Sequence, residues 1–132
     1  MKFIRFVRPN RVEGIGAREG FFCAAYELRD DPLLAEQSSA QLEDHLSWFR
    51  QTLTIPDKFN RSKSKGNYRK LGKGISWFKD DAFEAIERSF DLVSLLAEHG
   101  FLIEILRTEK VGYIVYEDEQ QVVAEPFSDT PV

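Results

Sequence analysis

The chain has 132 residues, one cysteine and a formal net charge of −4 at pH 7. That length gives room for one domain whose core needs no staples, and the lone Cys23 excludes an internal disulfide. No run reaches the roughly 18 apolar residues of a membrane span, and the opening residues 1–8 carry charges every two or three positions rather than an apolar signal stretch, so cytoplasmic residence is the expectation.

Taken in chain order, residues 2–8 set Phe3, Ile4, Phe6 and Val7 among Lys2, Arg5 and Arg8, and Pro9 follows; the pattern predicts a strand. Residues 9–20 hold Pro9, Asn10, Gly14, Gly16 and Gly20 and read as a loop. Residues 21–30 fit two periods, but the two alanines and the stop at Asp30-Asp31-Pro32 favour a helix with Phe21, Ala24, Ala25 and Leu28 on one face. A second helix is predicted over 39–53 from Leu42, Leu46, Phe49 and Leu53, opened by a capping box of Ser38 and Gln41. Ile75-Ser76-Trp77-Phe78 suggests an edge strand. A third helix is predicted over 82–99, with Asp81 and Glu84 as its capping box and Phe83, Ile86, Phe90, Val93 and Ala97 as its buried stripe, stopped by Gly100. Strands at 101–107, 112–117 and 121–125 then form an antiparallel meander through short turns, and the tail from Pro126 is expected to be loose. The fold class is α+β: a small antiparallel sheet of about four strands, the N-terminal strand beside one of the last three, packed against two or three helices.

Charge is strongly segregated. Residues 1–18 carry five basic and one acidic residue, and residues 19–57 two basic and eight acidic. Residues 58–79 carry eight basic and none acidic, and residues 80–132 three basic and thirteen acidic. The basic segment comprises Lys58, Arg61, Lys63, Lys65, Arg69, Lys70, Lys73 and Lys79, interleaved with Tyr68 and Trp77. Cations neutralise phosphates and exposed aromatics stack on bases, so this composition suits a phosphate-rich ligand: RNA, single-stranded DNA or a nucleotide. A plain solvated loop explains the same residues. Arg5, Arg8, Arg11 and Arg18 add N-terminal charge, but Arg5 and Arg8 point to opposite faces of a strand, so the four cannot all converge.

No catalytic or metal signature stands out. His45 and His99 lack ligand spacing, and Cys23 reads as a small core residue. Asp80-Asp81 reads as a helix start, and the glycines of 14–20 and 72–74 do not match phosphate-loop spacing. The resulting expectation is a non-catalytic binding module without cofactor or metal, its contact surface the loop 58–79. The alternative is a protein-binding inhibitor or immunity-type factor that turns its acidic C-terminal half, with Glu117, Asp118 and Glu119, to a basic partner protein. A small enzyme whose site the sequence does not display is the third reading; monomer and homodimer both fit.

Overall fold

A computed structural model describes residues 1–11, 17–54 and 74–132. Among them the chain forms strand β1 (Phe3–Arg11), strand β2 (Arg18–Gly20), helix α1 (Phe21–Arg29), helix α2 (Glu36–Thr52), strand β3 (Ile75–Lys79), helix α3 (Phe83–Glu98), and strands β4 (Glu104–Thr108), β5 (Tyr113–Glu117) and β6 (Gln121–Glu125). All strand pairings are antiparallel. The α+β class holds, with six strands where about four were expected.

The register explains the sheet. One edge of β1 carries β4, from Phe3 opposite Thr108 to Val7 opposite Glu104. The other edge carries two strands in succession. β3 pairs first, at Phe3–Lys79 and Ile4–Phe78. β2 pairs further on, at Val7–Gly20 and Arg11–Arg18, with a register shift between. β3 continues the sheet to β6, and β6 to β5. Between Ile4 and Val7 this edge of β1 is therefore a fork.

Several expectations are corrected. β1 runs past Pro9 to Arg11, because that stretch lies beyond the β4 ladder and beside the register shift, where a missing N–H interrupts no regular pairing. The expected loop 9–20 contains β2. β3 is an interior strand, not an edge, between β1 and β6. β4 does not join a meander with β5 but crosses to β1; only β5 and β6 form the expected hairpin. In the tail, Thr130 is buried and its hydroxyl accepts from the Phe127 N–H at 3.0 Å, while Val132 packs on the apolar cluster around Trp77.

Alternation along the strands creates two apolar clusters. Ile4, Phe6 and Phe78 meet the helices on one face, together with Phe21, Ala24, Ala25 and Leu28 of α1 and Leu42, Leu46 and Phe49 of α2. Phe6 is the aromatic hub there, with ring centroids 5.1 Å from Phe21, 6.2 Å from Phe78 and 5.3 Å from Phe90. On the opposite face Ile75, Trp77, Val122 and Ala124 gather Ala17 and Val111.

The first two helices bury the faces expected of them, but neither capping box forms. α2 starts earlier, with Ala35 at its N-cap, and α3 has Ala82 there; no side chain caps either. In α3 the buried face is Ala85, Ser89, Leu92, Leu95 and Leu96 rather than the predicted stripe. Small residues at 85 and 89 let the helix approach closely, and the Ser89 hydroxyl is satisfied by the Ala85 carbonyl at 2.7 Å. Phe83 is left 76% exposed, and Ile86 and Val93 flank the core.

The β5–β6 turn is built on Asp118. Its carboxylate accepts from the Gln120 N–H at 2.8 Å, the Gln121 N–H at 3.0 Å and the Tyr116 hydroxyl at 2.8 Å. Partial burial pushes this carboxyl up, but the three donors outweigh it and hold it below its ordinary value. A depressed carboxyl contributes stability above its unfolded-state pKa and loses it as pH falls through the folded value. Asp118→Ala is thus expected to cost about 1–2 kcal/mol at pH 7 and far less near pH 3. Chemical denaturation at the two pH values checks this; an equal deficit at both would show that the carboxylate form is not what holds the turn.

Candidate ligand-binding site

The fork in the sheet opens into a cavity of about 530 Å³. Ile4, Arg5 and Phe6 of β1 form its floor. Residues 17–20 stand on one side and residues 74–78 on the other; Phe21 and Phe22 of α1, Leu53 and Thr54 after α2, and Gln121 of β6 complete the lining. Because the sheet is split here, side chains from both apolar clusters reach one space: Ile4, Phe6, Phe21 and Phe78 from one, and Ala17, Ile75 and Trp77 from the other. A volume in this range matches sites that enclose small molecules.

Two guanidinium groups sit in this apolar setting. Arg5 Nη2 donates to the Arg18 carbonyl oxygen at 2.5 Å. Arg5 Nη1, Arg18 Nε and the Trp77 indole Nε1 are buried with no hydrogen-bond partner among the described residues. Burial, reinforced by the like charge of Arg18, lowers the Arg5 pKa from its ordinary value to about 10. Gln121 is occupied otherwise, its side-chain amide donating to the Thr54 carbonyl at 2.6 Å. Glu19 is the one carboxylate among the described lining residues, and it is exposed.

Of the residues expected to bind a phosphate-rich ligand, Lys58, Arg61, Lys63, Lys65, Tyr68, Arg69, Lys70 and Lys73 lie outside the described residues, as do Gly14, Gly16 and Gly72. Trp77 is 1% exposed, so its ring belongs to the cavity and not to an outer aromatic surface; Phe78 is buried too, and Trp48 packs half-buried between Phe49 and Arg88. Lys79 is joined to Glu117 at 2.6 Å, and that hydrogen bond raises its pKa. Glu117 and Asp118 of the acidic surface are thus engaged within the hairpin region, while Glu119 is exposed.

The remaining candidates separate. Arg8 does not line this cavity; it is paired with Glu27 at 2.7 Å and lies over the Phe101 ring. Cys23 is exposed, not in the core. Asp80 does not start the helix but accepts from the Lys2 N–H at 3.1 Å. His99 is the C-cap of α3. His45 lies half-buried between α2 and α3; burial and then Arg88 hold its imidazole below its ordinary pKa, against Asp91 and Asp44. Among the described residues no group of three or more His, Cys, Asp and Glu is placed to hold a metal ion, and no helix is long and apolar enough to cross a membrane.

Sequence reasoning weighed Arg5 and Arg18 as additions to the basic segment that includes Trp77. It missed the cavity that all three line, and it missed Phe21, Phe22, Ile75 and Gln121 as walls. The alternation that puts Arg5 opposite Arg8 was the available signal; the fork that brings Arg18 and Trp77 to Arg5 is a long-range pairing without a local mark. Comparison with protein-family models, with curated proteins and with solved structures finds no match.

Proposed function

We propose that this chain is a non-catalytic binding module for an anionic ligand. The observation that carries the reading is the cavity at the fork, lined by two arginines and an indole that leave three buried N–H groups without a partner among the described residues. A buried cation without a counter-charge is costly, and an oxyanion supplies both the charge and the acceptors. The sequence connects this site with the basic segment. Thr54 and Gly74, which border that segment in sequence, both line the cavity. For a phosphate-rich ligand the basic residues from Lys58 to Lys73 would add charge.

Thermal unfolding in low salt tests the reading, with inorganic phosphate, acetate, a nucleoside monophosphate, decanoate and a short single-stranded RNA as probes. An anion at about a hundredfold excess over its Kd is expected to raise stability by about 2.7 kcal/mol, which is a rise in Tm of several degrees for this size. A Tm that no anion moves would rule the module out. A variant with Lys63, Lys65, Arg69 and Lys70 all changed to Ala separates the two sources of charge: RNA binding should weaken and lose salt dependence, while a small anion in the cavity should be unaffected.

A further inference from the structure

The cavity's walls say more about the ligand than its charge. We propose that it takes an amphipathic anion: one oxyanion head, a carboxylate or a phosphate monoester, on an apolar aliphatic or aromatic body. The inference rests on the anion-binding reading above and narrows it.

The head follows from the orphaned atoms. Arg5 Nη1, Arg18 Nε and Trp77 Nε1 are all donors, and none can accept. All three residues line the cavity, and a group that answers these donors must accept; an ionised oxyanion offers the most lone pairs and brings a counter-charge to the two guanidinium groups, whereas an ammonium offers neither. Burial holds Arg5 in an environment that disfavours its charge, so a negative head is bound where it relieves an existing cost.

The body follows from what surrounds that head. Phe6, Phe21, Phe22, Ile75 and Phe78 offer no hydrogen bonds. Gln121 spends its amide on Thr54, and Thr54, Ser76 and Glu19 are exposed. A nucleotide placed here would carry sugar hydroxyls and base edges against aromatic rings, and each unpaired buried polar group weakens binding. A phosphodiester chain would bring one charge per nucleotide into a space with two cations. An alkyl chain or fused ring meets neither obstacle and gains from every apolar wall it covers.

Isothermal titration with decanoate, naphthoate, uridine monophosphate and decanol on the full chain decides it. Decanoate or naphthoate is expected to bind at least about tenfold more tightly than uridine monophosphate and than decanol, and whichever acid is preferred identifies the body as aliphatic or aromatic. Arg5→Met should weaken that acid by about 30-fold or more, and Trp77→Phe by a smaller factor. Tighter binding of the nucleotide would overturn this inference and leave the anion-binding module standing. Equal binding of decanoate and decanol would overturn it on the unmodified chain, without depending on any variant's folding. Should no anion bind, both readings fall together.

Discussion

Gly112→Ala should abolish the native fold or cost at least about 4 kcal/mol, whereas Gly100→Ala should cost about 1–2 kcal/mol. Both glycines have positive φ, +110° at Gly112 and +87° at Gly100. They differ in their surroundings. A Cβ at Gly100 meets nothing within 4 Å, so the penalty there is conformational alone. A Cβ at Gly112 would stand 2.0 Å from the Glu125 carbonyl oxygen and 2.7 Å from both the Glu125 carbon and the Pro126 Cα. These are backbone atoms and cannot rotate away. Glu125 ends β6, which is hydrogen-bonded to β3 on one side and β5 on the other, so moving it disturbs the centre of the sheet. Val111, next in sequence, is buried in the second cluster and blocks escape in the other direction. Urea unfolding followed by circular dichroism compares the two variants. Similar midpoints would mean that the β5 edge yields and that the close approach at Gly112 is not required.

Local features of the chain were readable and pairings were not. The face of α1 followed from Phe21, Ala24, Ala25 and Leu28, because a helix presents neighbours three and four apart whatever it packs on. In α3 the same period admits two stripes. The phenylalanines at 83 and 90 made one look stronger, but packing against α1 and α2 buries Ala85, Ser89, Leu92 and Leu96. Hydrophobicity alone does not reveal that a helix needs small residues where it comes nearest its neighbours. Ile75-Ser76-Trp77-Phe78 held a signal that was undervalued: large apolar residues at consecutive positions 77 and 78 mark a strand covered on both faces, and β3 is interior. The pairing of β4 with β1, separated by about a hundred residues of chain, has no local signature at all. The candidate site inherits that limit. Its charged members were visible one by one, but their meeting depends on β2 and β3 taking the same edge of β1.

That edge also locates the chemistry. A continuous strand beside β1 would cover Arg5 and Phe6 and close the space between the clusters. Two short strands in succession instead leave a gap lined by both apolar faces, and Arg5, Arg18 and Trp77 are among the residues that line it. The site is thus a by-product of the topology, available only because the sheet is interrupted, and Arg5 occupies the interruption.

Arg5→Met should make the ligand-free protein more stable while removing its affinity for anions. The folded chain holds Arg5 at a pKa of about 10, well below its ordinary value. That difference corresponds to about 3 kcal/mol of disfavour toward the charged form. Methionine has similar reach, fills irregular apolar space and carries no charge. The loss includes the bond from Nη2 to the Arg18 carbonyl, worth about 1 kcal/mol. A net gain of about 2 kcal/mol remains, and the Tm should rise by several degrees. The pH dependence follows from the sign of the shift. Between about pH 10 and the ordinary arginine value the unfolded chain retains a proton that the folded chain has released, so the stability of the unmodified protein rises with pH there. Below pH 10 the penalty is full and constant. The advantage of Arg5→Met should therefore be level from pH 6 to 9 and shrink above about pH 10, as paired urea titrations would show. A variant less stable than the parent at pH 7 would mean that Arg5 is held by favourable contacts and is not a strained cation awaiting a counter-charge. The expected result, stability gained and binding lost by one substitution, would mark Arg5 as a residue whose position costs the fold and serves the ligand.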